Sequence, residues 1–238
     1  MRKVTAGGFA VAETVGLCRP DVIAAYPITP QTYIVEKLAE LVNNGKLDSR
    51  YVPVESEFSA ISACLGASAT GARAYSATCS QGLALMTEVL FTVSGMRLPV
   101  VMNIVNRALA APINIWNDQQ DAISQRDAGW IQLFAENVQE ACDMTLMAYK
   151  IGETDKVSLP VMVNMDGYIL SHVYEPVDFF TQKDADDFLP KFSPEFKLDP
   201  ENPVTMGPIG FPDTYMELRS DQQKALSPAF SFFKTERM

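Results

Sequence analysis

Glu57, Arg107 and Thr29 are the residues whose types and neighbours in this chain could carry a reaction. Glu57 directly follows the apolar segment Tyr51, Val52, Pro53, Val54 and opens an almost uncharged run from Ser59 to Ala67. The small residues of that run let backbones approach closely, which predicts a buried helix. A carboxylate on its first turn is favoured by the helix dipole, but in a dry pocket it needs a proton or a hydrogen-bond donor. The competing reading is structural: Ser56 is the cap, and Glu57 only complements the dipole. Arg107 sits beside Ala108, Leu109, Ala110 and Ala111 with no carboxylate close in sequence. A buried guanidinium needs an anion. Asp118 or Asp121 could supply it within the fold, or a ligand carboxylate could do so through the bidentate geometry of the guanidinium. Thr29 precedes Pro30 and reads as an N-cap with proline at the first helical position. The sole histidine, His172, reads as structural.

The elements that must position these residues alternate between strand and helix. Periodicity predicts a helix over about 8–17, a strand over 22–25 and an amphipathic helix from Pro30 to about Asn43, closed by Asn44 and Gly45. The next strand is 51–54, followed by the Glu57 helix, a turn ending at Gly71, strand 73–77 and a helix continuing to about Ser94. Strand 99–105, a loop over 106–120, strand 130–134, helix 138–151 and strand 159–165 complete the pattern. Most of the strands are continuous apolar runs, which indicates a parallel sheet covered on both faces. The expected fold class is therefore α/β, doubly wound, with helices on both faces. Ligands of such sheets gather beyond the carboxyl ends of the strands. Five segments should share that rim: Tyr26 to Pro30, Glu55 to Glu57, Thr78 to Gly82, Asn106 with Arg107, and Asp166 to Tyr168. Thr78 to Gly82 has the make-up of an anion nest entering a helix, a weak signal because such turns are common.

The 238 residues suffice for one large domain. A net charge of -10 argues against nucleic acid as the main ligand and against a polybasic membrane patch. The four cysteines, Cys18, Cys64, Cys79 and Cys142, form no C-x-x-C pair, so neither a zinc nor an iron-sulfur site is encoded, and they read as buried thiols of a reducing cytoplasm. No signal peptide and no apolar run of ~20 residues is present, so the expected location is cytoplasmic. Past Asp187 the prolines 190, 194, 200, 203, 208 and 212 indicate a linker or surface strap, followed by a short helix over about 214–226. The expected division is an α/β domain over 1–187 and a linker with a short C-terminal helix over 188–238.

Tyr26-Pro-Ile-Thr-Pro30, Ser80-Gln-Gly-Leu-Ala-Leu-Met86, Gly95-Met-Arg-Leu-Pro99, Ala111-Pro-Ile-Asn-Ile-Trp-Asn-Asp118 and Asn202-Pro-Val-Thr-Met-Gly-Pro208 together resemble the alpha subunit of 2-oxoacid:ferredoxin oxidoreductases, especially the pyruvate type. The resemblance runs from about Val4 to Arg219. It implies the pyrimidine-binding domain for thiamine diphosphate, of transketolase-like fold. It places Glu57 at the glutamate that hydrogen-bonds a ring nitrogen of the aminopyrimidine and favours the imino tautomer, which removes the thiazolium proton. Arg107 matches the arginine that pairs with the substrate carboxylate, and Thr29 the threonine that hydrogen-bonds the same substrate. Ser80 and Gln81 are expected at the cofactor, and Tyr26, Pro27, Asn106, Asp118 and Gln119 in the surrounding pocket.

The implied reaction is oxidative decarboxylation of a 2-oxoacid to acyl-coenzyme A with reduction of ferredoxin. The chain has no Gly-Asp-Gly stretch with following Asn ligands and no cluster-binding cysteines, which implies that magnesium and [4Fe-4S] clusters reside on beta, gamma and delta partner subunits and that this chain is not active alone. The chain departs from the family in three places. Gly7, Gly8, Phe9, Ala10 stand where Gly-Asn-Glu-Ala is common, and Phe58 and Gln119 stand where histidines are common. A further domain of the family subunit is expected after the linker, so truncation or a divided gene is implied. Two other functions share the same fold: a non-catalytic assembly subunit, and half of another thiamine diphosphate-dependent decarboxylase or synthase.

Overall fold

The computed structural model describes residues 1–235. Its centre is a six-stranded, fully parallel sheet of order β3-β2-β4-β5-β7-β6. Strand β1 (Arg2–Ala6) leads into helix α1 (Gly7–Cys18), β2 (Val22–Ala25), α2 (Thr32–Asn43), β3 (Arg50–Pro53), α3 (Glu57–Ala69) and β4 (Ala74–Thr78). Helices α4 (Ser80–Leu85) and α5 (Thr87–Gly95) precede β5 (Val101–Asn106). A long loop, the short α6 (Gln120–Ile123) and a 3-10 turn at Arg126–Ala128 lead to β6 (Ile131–Phe134), α7 (Val138–Gly152) and β7 (Val161–Asp166). Strand β8 (Tyr174–Asp178), α8 (Gln182–Phe188) and α9 (Tyr215–Thr235) follow.

Each central strand buries both faces, and the alternation of side chains assigns successive residues to opposite layers. Val101 and Val105 of β5, with Val161, Val163 and Met165 of β7, face α1, α2 and α7. Met102 and Ile104 of β5, with Met162 of β7, face α3 and α5. Continuous apolar runs are therefore what a strand covered on both sides requires. Helix α3 lies across β2 and β4, so its first turn stands over the end of β4 rather than over β3, the strand that feeds it.

Three local expectations are corrected, and one strand pair was not foreseen. Thr29 caps no helix: α2 begins at Thr32 behind Gln31, and neither Thr29 nor Gln31 makes a side-chain cap. The Pro30 ring instead sits in a turn, with the Ile28 carbonyl accepting from the Gln31 N–H at 2.8 Å. The helix expected up to Ser94 is interrupted at Met86, giving α4 and α5. The C-terminal helix runs to Thr235, well past Leu226 and through Pro228, and its Ala225 and Ala229 join the buried cluster of α1 and α7. The antiparallel pair of β1 with β8, five residues each, was legible in neither segment, because an edge pair with mixed burial lacks a continuous apolar run.

Ser56 does cap α3, accepting the Ser59 N–H at 3.2 Å. This supports the structural account of why a polar segment opens that helix. It leaves open why a carboxylate follows the cap and points inward.

Candidate active site

In the sheet order, β2 and β4 are neighbours from which the chain departs in opposite directions, β3 lying beyond one and β5 beyond the other. Such a switch point leaves a crevice at the carboxyl ends of the strands. The Tyr26 to Pro30 loop and the Thr78 to Gly82 turn border it, and α3 and the end of β5 supply the two charged side chains.

Glu57 is 7% exposed, and its carboxylate has neither a hydrogen-bond nor an ion-pair partner among the described residues. It packs on Gly82. A methyl group added there would lie 2.6 Å from Glu57 Oε1 and 2.8 Å from its Cγ, and would also overlap Thr78 Oγ1. Only glycine lets α4 pass this close to a carboxylate. The Thr78 hydroxyl is itself buried without a hydrogen-bond partner among the described residues.

Arg107 is 9% exposed and forms no ion pair among the described residues. Its Nη1 donates to the Thr29 carbonyl at 2.6 Å and its Nη2 to Gln81 Oε1 at 2.5 Å, while its Nε is buried and unpartnered. Both acceptors are neutral. Neither aspartate proposed as its counter-ion serves: Asp121 accepts the Arg107 backbone N–H at 3.1 Å, and Asp118 accepts from Gln120. The positive charge is thus buried and not neutralised, an arrangement that favours an anionic ligand.

The remaining expected residues divide. Ser80 is fully buried, and its single hydroxyl proton is shared between the Ala108 carbonyl, 2.6 Å away, and Gln81 Oε1. Asn106 Nδ2 donates to Asp121 at 2.9 Å, and its Oδ1 has no partner among the described residues. Thr29 is exposed, with its carbonyl held by Arg107 and by the Cys79 thiol. Burial pushes that thiol up to about 12, with Arg107 working against the shift, so it is inert as a nucleophile. Tyr26 and Pro27 are exposed at the crevice lip. Asp118 and Gln119 are not drawn in: Gln119 is exposed and reaches only Asp166, at 3.4 Å.

Two features were not foreseen in these roles. Asp121, named only as a possible counter-ion of Arg107, is 1% exposed and collects four N–H donors, and Gln31, fully buried, donates to the Ala77 carbonyl at 2.6 Å while its side-chain carbonyl accepts the Ile28 N–H. Only their burial in polar surroundings singles them out. The altered opening of α1 also gains a structural account. Phe9 stacks on Tyr33 at 4.6 Å, Tyr33 on His172 at 4.1 Å, and His172 on Tyr168 at 4.1 Å. His172 is one ring of a column, and burial holds its pKa below the ordinary value.

Residues 13–235 match the family model described as pyruvate flavodoxin/ferredoxin oxidoreductase, thiamine diphosphate-binding. The chain belongs to this family. Among relatives of this oxidoreductase family, the chain is 59% identical over 227 residues to pyruvate synthase subunit PorA of Methanosarcina barkeri, covering 95% of this chain and 56% of that one. It is 50% identical over 236 residues to ketoisovalerate oxidoreductase subunit VorA of Pyrococcus horikoshii, covering 99% and 59%. The chain thus spans little more than half the length of the curated relatives it matches. In three dimensions it resembles a 2-oxoglutarate:ferredoxin oxidoreductase from Magnetococcus marinus, with a TM-score of 0.78 at 20% identity, covering 100% of this chain and 46% of that one. At that identity the likeness concerns the fold. Among the described residues, no group of three or more His, Cys, Asp or Glu is placed to hold a metal, and no helix is long and apolar enough to cross a membrane.

Proposed function

We propose that this chain is the pyrimidine-side part of a thiamine diphosphate site in the alpha subunit of a 2-oxoacid:ferredoxin oxidoreductase, with pyruvate as the 2-oxoacid. The observation that carries the reading is a pair of buried, opposite, uncompensated charges on either side of one turn of α4: Glu57 against Gly82, and Arg107 against Gln81. A fully internal role would pair them or leave them in water.

The residues fit the cofactor. A buried carboxylate with no partner among the described residues is suited to a ring nitrogen of an aminopyrimidine, and Gly82 leaves the wall beside it without a side chain. When bound, that group supplies a stabilised carbanion for cleavage next to a carbonyl. Glu57 would hold a proton at the pyrimidine nitrogen. Arg107 would take the substrate carboxylate, using the buried Nε and whichever Nη it releases from its neutral acceptors. The Thr29 hydroxyl, free of partners among the described residues, would donate to the same substrate. Gln81, whose amide nitrogen is unused among those residues, would border the cofactor, and Ser80 would set the turn that carries Gln81.

Exposed apolar side chains lie in the segments that carry the site: Phe58, Leu85, Ile113 and Trp116, the last 57% exposed. They support a partner surface covering the site. A beta subunit that holds magnesium and diphosphate, gamma and delta subunits, iron-sulfur clusters, ferredoxin, coenzyme A and a cytoplasmic location belong to the same proposal and rest on the family resemblance. The division at about residue 187 belongs to the same proposal. Pyruvate is preferred because the PorA relative is closer in identity than the VorA relative.

The test is 2-oxoacid-dependent reduction of methyl viologen by the assembled enzyme. Arg107→Ala should lower kcat/KM by about a hundredfold or more, the scale of a lost charge-assisted contact. Glu57→Gln should abolish turnover while leaving assembly intact. Full activity of Glu57→Gln, or turnover by this chain alone, would overturn the proposal.

A further inference from the structure

Asp121, on α6, is a buried carboxylate, 1% exposed, that forms no side-chain ion pair among the described residues. Its Oδ2 accepts the backbone N–H groups of Ser80 at 2.8 Å and Arg107 at 3.1 Å. Its Oδ1 accepts Asn106 Nδ2 at 2.9 Å and the Ala122 N–H at 2.8 Å. Four hydrogen-bond donors solvate the carboxylate in place of water. Two of them belong to residues far apart in sequence that carry opposite halves of one contact, because Gln81 follows Ser80 and accepts from the Arg107 guanidinium at 2.5 Å.

Ser80 shows what this arrangement must hold in place. Its φ of +50° lies in the left-handed region that a serine rarely adopts, and such a conformation persists only where the surroundings over-determine it. Here its N–H is fixed by Asp121, which also holds the Arg107 N–H, and its hydroxyl by the carbonyl of Ala108, the residue after Arg107. We propose that Asp121 is a positioning residue for the anion site: it ties the turn after β4 to the end of β5, and so sets the distance and orientation between Gln81 and the Arg107 guanidinium. The carboxylate touches neither substrate nor cofactor and acts through Arg107. This rests on the assignment of Arg107 to the substrate carboxylate.

The amide of Asp121→Asn is isosteric and keeps the acceptor toward Asn106 and Ala122, but it places a donor against the Ser80 and Arg107 N–H groups. In the assembled enzyme it should raise KM for the 2-oxoacid by about tenfold, equivalent to ~1.4 kcal/mol, with kcat changed less than about threefold. In an Arg107→Ala background the same substitution should have no further effect on kcat/KM, since neighbours acting through one group are not additive. Asp127→Asn, an exposed carboxylate nearby in sequence, should leave the kinetics unchanged. If Asp121→Asn does not assemble, Asp121→Glu, which keeps the charge one methylene further out, enters the same double-mutant comparison. A fall in kcat at constant KM, or losses that add in the Arg107→Ala background, would overturn the inference. A wild-type complex inactive on every 2-oxoacid would instead refute the proposed function, so the two failures are distinguishable.

Discussion

The Arg107 guanidinium donates to the side-chain carbonyl of Gln81 at 2.5 Å, so a buried cation is oriented by a neutral amide and not by a carboxylate. Replacing that amide by an acid should fill the anion position from within. For Gln81→Glu the expected result is a rise of about tenfold or more in KM for the 2-oxoacid, with a smaller change in kcat, read from steady-state kinetics of the assembled enzyme. An unchanged KM would show that Arg107 does not meet the substrate.

Gly82 faces Glu57 with no room for a methyl group. Gly82→Ala should destabilise the fold by about 1–3 kcal/mol through overpacking, seen in urea unfolding, and should weaken cofactor binding by displacing the carboxylate. A variant as stable as the parent with unaltered cofactor affinity would contradict this packing.

At the opposite end of the sheet, Arg73 and Glu153 form a buried bidentate ion pair, with Nε to Oε1 at 2.6 Å and Nη2 to Oε2 at 2.7 Å. Arg73 also donates to the Cys18 carbonyl at 2.6 Å and to that of Pro190 at 2.8 Å, fastening the proline-rich strap to the body. Arg73→Ala leaves a carboxylate buried alone and should cost about 3–5 kcal/mol in chemical denaturation, whereas the double change Arg73→Met with Glu153→Leu should cost less. Limited proteolysis should then cut the strap after residue 190 faster in Arg73→Ala than in the parent.

Burial holds the Asp121 carboxyl above its usual value of 3.8, against the lowering effect of its hydrogen bonds from Asn106, Ser80, Arg107 and Ala122. The folded protein therefore takes up this proton at a higher pH than the unfolded chain. The stability attributable to the group increases as pH falls through that window and decreases as pH rises. Binding follows the opposite course, because the protonated group is a poorer acceptor for the Ser80 and Arg107 N–H groups. A plot of 1/KM against pH should show an acid limb above pH 3.8 that Asp121→Asn removes.

The apolar run Val22 to Ala25 and the largely apolar segments Val101 to Val105 and Val161 to Met165, broken by Asn103 and Asn164, made the parallel sheet legible, because a strand covered on both faces is mostly apolar on both. The edge pair β1 with β8 carried no such run, and the break at Met86 carried no glycine or proline. Thr29 illustrates the limit of local rules. Threonine followed by proline matches the start of a helix, yet the helix begins at Thr32, and the Thr29 carbonyl is taken by Arg107, a residue 78 positions away.

The chain's one-dimensional pattern therefore specified the α/β fold, the rim on which polar segments meet, and the candidacy of Glu57 and Arg107. Each follows from nearest neighbours, from the period of apolar residues, and from the cost of a charge among them. Folding decided the partners. The Arg107 guanidinium meets Gln81 and Thr29 instead of an aspartate, Glu57 meets Gly82, and Asp121 joins the Ser80 and Arg107 backbones. Those contacts link strand ends that adjoin only because the sheet order is β3-β2-β4-β5-β7-β6, a set of long-range pairings that no local spacing encodes.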